Sequence, residues 1–172
     1  MVPQLIALDM DGTLLDPQGQ LPPDFAELTE LARSQGATLI PASGRQLATL
    51  QLMFPEFSTF IAENGAVVMR DGDIIATFPL PVEVVERVLD ASATLPAEHT
   101  LVLCTPAGAF IERDIPDHAV AEIAKYYKAV TWVDDLTAVQ HDNIIKIAAY
   151  CQDGSEANLA PTIDDVVQDH NV

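Results

Sequence analysis

Apolar residues come along this chain in short continuous runs that end at polar loops, and between the runs they fall into a helical spacing. Leu5-Ile6-Ala7-Leu8 is the first run and stops at Asp9, the pattern of a strand buried on both faces in a parallel sheet. Pro22, Pro23 and Asp24 open a helix in which Phe25, Leu28, Leu31 and Ala32 share a face, with Gly36 as its C-terminal stop. A second buried strand over 37–42 exits through Ser43-Gly44-Arg45, a helix over 47–54 is stopped by Pro55, and 59–62 forms a third short strand. Strand, helix, strand, helix, strand predicts βαβ crossovers and a parallel sheet.

Beyond Glu63-Asn64-Gly65-Ala66 the pattern changes. Residues 67–70 and 73–76 flank Asp71-Gly72, a two-residue hairpin signal, so the sheet continues antiparallel. Pro79 and Pro81 bracket a linker, and 82–95 has the spacing of an amphipathic helix. Strands are predicted over 101–104 and 109–112, joined through Pro106-Ala107-Gly108, then a helix over 118–127 and strands over 130–133 and 144–150. This second region reads as an α+β layer inserted after the first βα units.

Composition narrows the function. With 172 residues and 49% apolar content the chain can bury a core as one domain, or as one domain carrying a sizeable insertion. Eight Lys and Arg face 26 Asp and Glu, a net charge of −18 that repels phosphate backbones and anionic membranes, so neither nucleic acid nor membrane is expected as a partner. The same field repels a phosphorylated metabolite, so phosphate chemistry here needs a bound cation and locally aimed donors. Cys104 and Cys151 lie far apart without metal-ligand spacing, which predicts two buried thiols in a reducing compartment. No basic leader precedes an apolar stretch and no apolar run reaches membrane-spanning length, so the expected location is the cytoplasm.

The most informative stretch is Asp9-Met10-Asp11-Gly12-Thr13-Leu14-Leu15-Asp16. Side chains two apart in an extended chain share a face, so Asp9 and Asp11 can converge on one bound group, provided a cation or proton offsets their repulsion. Mg²⁺ suits this sparse set, since it takes one or two carboxylates and completes its shell with water and phosphate oxygens. Gly12 lets the backbone turn past a ligand, and Thr13 offers a hydroxyl donor. Taken alone, an Asp-x-Asp-Gly string is only a solvated turn. The full string directly after a buried strand resembles the first motif of the haloacid dehalogenase superfamily of phosphohydrolases.

Two later segments add to that resemblance. Ile40-Pro41-Ala42-Ser43-Gly44-Arg45 is similar to the superfamily's second motif, and Ile61-Ala62-Glu63-Asn64-Gly65-Ala66 to the Asn-Gly-Ala segment of the Cof-type branch (class IIB), which includes sugar phosphatases. The resemblance implies an α/β fold: part of a Rossmann-like parallel-sheet core over 1–80, and part of an inserted α+β cap over 81–172. By that resemblance Asp9 is the nucleophile that forms an aspartyl-phosphate, and Asp11 protonates the leaving oxygen and then activates water. Mg²⁺ is held by the Asp9 carboxylate and the Asp11 main-chain carbonyl. Thr13, Ser43 and the Gly44 amide hold phosphate oxygens, with Arg45 and Asn64 as further substrate contacts.

Two further motifs of the superfamily, a lysine at the phosphate and a distal acidic segment, have no counterpart here. Lys146 reads instead as an exposed strand lysine, and Asp164, Asp165 and Asp169 as the polar face of a helix covering Ile163, Val166 and Val167. The four histidines, scattered without ligand spacing, read as surface or boundary residues. The chain therefore resembles a member truncated within the cap and lacking the C-terminal core strands. That predicts weak or absent activity alone, and a first strand left as an apolar edge open to self-association. A non-catalytic module that keeps Mg²⁺ or phosphate affinity is the alternative, and a small phosphorylated metabolite is the expected ligand of the enzyme.

Overall fold

The computed structural model describes residues 4–167. They divide into two compact units, with the boundary between Ala76 and Thr77.

The first unit is built on a five-stranded sheet in the order β1 (Leu5–Asp9), β2 (Thr38–Ala42), β3 (Phe60–Ala62), β4 (Val67–Arg70) and β5 (Asp73–Thr77). β1 runs parallel to β2 and β2 parallel to β3, with the predicted switch to antiparallel pairing at β4. The register aligns Asp9 with Ala42, and Ala42 with Ile61, so the exits of three parallel strands lie side by side. That is where open parallel sheets bind ligands. Asp71 (φ 54°) and Gly72 (φ 90°) turn the β4–β5 hairpin with the paired positive φ values that match the twist of the strands.

Helix α1 (Phe25–Ser34) returns the chain from β1 to β2. It closes with the Gly36 amide on Arg33 O (2.9 Å) and the Ala37 amide on Ala32 O (2.9 Å), which satisfies carbonyls that the helix end leaves over. Phe25 is its buried anchor. The Phe25 ring meets Phe54, just after α2 (Leu47–Met53), edge-on at 5.9 Å and stacks on Phe57 at 6.3 Å.

Two details of the predicted burial are corrected. β1 is not buried on both faces: β2 is its neighbour within the described sheet, and Leu5 is 56% exposed. The apolar face of α1 also splits, because Phe25 is buried while Leu28 and Leu31 stand 48% and 58% exposed. β1 is the outer strand of the described sheet, and its other edge meets no described strand.

The second unit contains a four-stranded sheet in the order β8 (Val130–Val133), β7 (Gly108–Glu112), β6 (Thr100–Thr105) and β9 (Lys146–Tyr150). Leu101 and Leu103 of β6 join Val85 and Leu89 of α3 (Val82–Ser92), together with Leu136 and Ile144, in one apolar cluster. Val102 and Cys104 are also buried, so alternation puts apolar side chains on both faces of this central strand. Helix α4 (Asp117–Tyr126) precedes β8, and α5 (Ser155–Asn158) and α6 (Ala160–Val167) follow β9. Asp164 and Asp165 are exposed on α6, with Ile163, Val166 and Val167 half-buried; Asp169 lies outside the described residues. Lys146 is half-buried rather than exposed, its ammonium 5.3 Å from the centre of the Tyr127 ring. His99 is packed as well, one ring nitrogen 2.6 Å from Ser92 Oγ and the other 2.7 Å from Ala97 O. Both cysteines are buried. Among the described residues no helix is long and apolar enough to cross a membrane.

Candidate active site

The site residues named from sequence all lie in the first unit, at the end of β1 and on the segments that follow β1, β2 and β3. After Asp9 the chain winds around one carbonyl: Met10 O accepts from the amides of Thr13 (3.3 Å), Leu14 (3.0 Å) and Leu15 (2.8 Å). Met10 and Leu15 are buried beneath the turn, and Gly12 takes φ 77° at its crest. A buried base under a hydrogen-bonded turn fixes the polar side chains above it without their having to hold themselves.

Those side chains divide into two contacts. Thr13 Oγ1 donates to Asp9 Oδ2 at 2.9 Å. Thr13 thus orients the Asp9 carboxylate, and among the described residues Asp9 Oδ1 accepts no hydrogen bond. Asp11 faces the loop after β2, where Arg45 grips it with both arms of its guanidinium, Nη2 to Oδ1 at 2.6 Å and Nε to Oδ2 at 2.9 Å. A two-pronged pair of this kind is stronger and more directional than a single ionic contact. The hydrogen bonds from Arg45, and then its charge, hold the Asp11 carboxyl below its ordinary range against the opposing effect of desolvation.

The second and third loops are joined through the backbone. The Ser43 amide donates to Ile61 O (2.9 Å), the Asn64 amide to Ser43 O (3.1 Å) and the Glu63 amide to Arg45 O (3.1 Å). Ser43 Oγ accepts from the Arg45 amide at 3.2 Å, which leaves the Ser43 hydroxyl hydrogen for another acceptor. Asn64 lies over Gly44, so closely that a Cβ on Gly44 would run into Asn64 Oδ1. The fold therefore brings Asp9, Asp11, Thr13, Ser43, Gly44, Arg45 and Asn64 into one linked group. Two of these contacts were not legible in the sequence: Thr13 turned toward Asp9, and Arg45 toward Asp11. Both are side-chain choices made across loops, and no spacing rule specifies them.

The donors also bear on a cation. Asp9 offers an open carboxylate oxygen and Asp11 a main-chain carbonyl, while among the described residues no three His, Cys, Asp or Glu side chains gather as a ligand set. Oxygen donors of this kind are the type that a hard cation takes.

Comparison with known proteins adds the family. The chain is 29% identical over 136 residues to the 5-amino-6-(5-phospho-D-ribitylamino)uracil phosphatase YbjI of Escherichia coli (strain K12), covering 77% of this chain and 50% of that protein. It is 26% identical over 161 residues to the putative phosphatase YkrA of Bacillus subtilis (strain 168), covering 91% and 61%. In fold it is similar to SMU.1108c of Streptococcus mutans UA159, with a TM-score of 0.81 at 18% identity over 95% of this chain and 62% of that one. It is also similar to the HAD subclass IIB sugar phosphatase BT4131, with a TM-score of 0.71 at 18% identity over 93% and 63%. The chain spans about half the length of YbjI and of another curated relative. The family model for haloacid dehalogenase-like hydrolases matches residues 6–170, and the chain belongs to that family.

Proposed function

We propose that this chain carries the nucleophile-bearing part of a Mg²⁺-dependent phosphomonoester hydrolase that acts on a small phosphorylated metabolite, a sugar phosphate being the nearest chemistry. The observation that supports this most is the Asp9 carboxylate at the exit of β1, oriented by Thr13 with one oxygen open, beside a loop that presents Ser43 and Arg45. A fixed carboxylate with a free oxygen is what in-line attack on phosphorus requires. In this reading Asp9 Oδ1 attacks, the ester oxygen leaves with a proton from Asp11, and the phosphoryl group rests on Asp9 until water, deprotonated by Asp11, releases it.

Arg45 has a part in the sequence of events. Its fork occupies both Asp11 oxygens, and an arriving phosphate offers the same fork a second anion. Transfer of Arg45 toward the phosphate frees Asp11 for proton transfer, while Ser43 donates its hydroxyl to a phosphate oxygen. The Asp9 carboxylate and Asp11 carbonyl would hold the Mg²⁺, whose charge offsets the repulsion between Asp9 and a phosphate on a chain of net charge −18.

The relatives bear on the substrate by likeness alone. One is named for a phosphorylated ribitylamino-uracil and one structural neighbour is described as a sugar phosphatase. Both suit a small phosphorylated metabolite. The acidic surface argues against nucleic acid and anionic membranes, the two buried thiols suit the cytoplasm, and the open edge of β1 suits contact with a second copy of the chain.

The test is Asp9→Asn in a polypeptide that turns over a phosphorylated-sugar panel with Mg²⁺. Turnover should disappear, and the parent should yield a hydroxylamine-labile phosphoryl group on Asp9. Turnover by the variant near the parent rate, with deamidation excluded, removes Asp9 from the role. Activity confined to phosphoproteins removes the metabolite reading, and phosphate affinity without turnover in any length of the protein favours the non-catalytic alternative.

A further inference from the structure

The turn after β3 has a backbone that its sequence does not favour. Glu63, Asn64 and Gly65 take φ values of 52°, 58° and 91° in succession, closed by the Ala66 amide on Glu63 O at 3.1 Å. Glycine enters this left-handed region freely and asparagine tolerates it, but glutamate has no such ease. Glu63 is nonetheless 2% exposed, and with Gln46 and Thr49 it makes up the buried polar side chains of the first unit among the described residues. A strained conformation persists where the surroundings over-determine it, and such positions gather where a geometry is being held.

What this turn touches is the loop after β2. Its amides at 63 and 64 donate to the carbonyls of Arg45 and Ser43, either side of Gly44, and the Asn64 side chain fills the space where a Gly44 side chain would be. The two carbonyls are thereby drawn toward the third loop. The Ser43 hydroxyl, which accepts from the Arg45 amide, and the Arg45 side chain, which reaches Asp11, are set by the same three-residue segment. A small rotation of the peptides around Gly44 would therefore move both groups together.

We propose that the left-handed turn Glu63-Asn64-Gly65 is a positioning element for the Ser43–Arg45 segment, and that Asn64 acts as its stop against Gly44 rather than as a contact to substrate. This rests on the phosphate-handling reading of the site. It differs from a general packing role in what it requires: a side chain at position 44 would displace the Asn64 side chain, so the effect of changing either residue depends on the other.

A double-mutant cycle on the full chain separates these possibilities. The variants are Gly44→Ala, Asn64→Gly, which keeps the left-handed backbone accessible, and the two together. The first readout is the affinity for inorganic phosphate in the presence of Mg²⁺. Gly44→Ala should weaken it about tenfold in the parent background, a coupling typical of residues in contact. The same substitution should have little effect in the Asn64→Gly background, where the space is open. The second readout is amide exchange at positions 63 and 64 without phosphate, which should quicken in each single variant, with Gly44→Ala adding little once Asn64 has been replaced by Gly. Equal effects of Gly44→Ala in both backgrounds, in either readout, overturn the inference. If the parent binds no phosphate, the function proposed above is what fails, and the exchange cycle still decides whether Asn64 sets the loop. If Gly44→Ala does not fold, recovery of folding in the double variant supports the stop, and its absence counts against it.

Discussion

Arg45 and Asp11 show how one residue pair carries both structure and chemistry. The pair is one-sided in its exposure, the Asp11 side chain being 58% exposed and that of Arg45 16%. Solvent screening therefore limits its contribution to folding to at most about 1 kcal/mol, the upper end for exposed pairs. Its effect on protonation is better defined. Because the folded pKa of Asp11 is lowered, the unfolded chain binds its proton more readily. The stabilisation is present above the unfolded carboxylate value of about 4 and is lost as pH falls through the lower folded value. Arg45→Met should return the Asp11 titration, followed by carboxyl NMR, toward the ordinary carboxylate range and flatten the acid limb of the stability curve. An unchanged midpoint would mean that the fork seen here does not persist in solution. Asp11→Asn should slow turnover at both the ester-cleaving and the water-attack steps, and undiminished steady-state and single-turnover rates would exclude Asp11 as the proton carrier.

Helix α1 is the element whose sequence and packing disagree most. Its apolar positions at 25, 28, 31 and 32 suit a helix covered along a broad stripe, yet only Phe25 is buried, with Leu28 and Leu31 left in solvent. Its docking therefore rests on the Phe25, Phe54 and Phe57 rings. Two substitutions on one helix should then behave oppositely. Leu31→Gln should change the stability of this chain by no more than about 0.5 kcal/mol, as at other exposed positions. Phe25→Ala should cost about 3–5 kcal/mol, as for other buried aromatics. Urea unfolding of the two variants checks both values. A large loss from Leu31→Gln would show that α1 is covered in solution by something beyond the described residues.

At the scale of the whole molecule, the same edge sets two expectations. β1 presents an open strand edge beside exposed Leu5, while a net charge of −18 pushes copies apart. Self-association of the 172-residue chain should therefore grow with protein concentration and with salt, which screens the repulsion. Sedimentation velocity across a salt series checks this, and a monomer at all concentrations and ionic strengths would remove the edge as a contact surface. The chain by itself should also hydrolyse phosphate esters poorly even with Mg²⁺. Charge neutralisation dominates phosphoryl transfer, the chain spans about half the length of two curated relatives, and a charged partner lost from such a site costs on the order of 3 kcal/mol by analogy with a lost oxyanion donor. Ordinary turnover by a monomeric chain would mean that residues other than those named complete the site. Exhaustive chelation should abolish whatever activity is measured, and activity that survives it would exclude a required cation.

By itself the sequence determined the order of elements, the change from parallel to antiparallel pairing after Glu63-Asn64-Gly65-Ala66, and the loops that carry the chemistry. These features are local: period, turn residues and the abrupt end of an apolar run are set by neighbours a few positions apart. Only the tertiary structure decided which apolar positions are buried and which polar groups meet. Leu5, Leu28 and Leu31 carry the same apolar signal as buried leucines, and their exposure is settled only by what the folded chain packs against them. Thr13 turns to Asp9, Arg45 reaches Asp11 across 34 positions, and Asn64 closes on Gly44. Each of these contacts depends on the strand register that sets Asp9 beside Ala42 and Ala42 beside Ile61, and register is a property of packed strands rather than of any one segment.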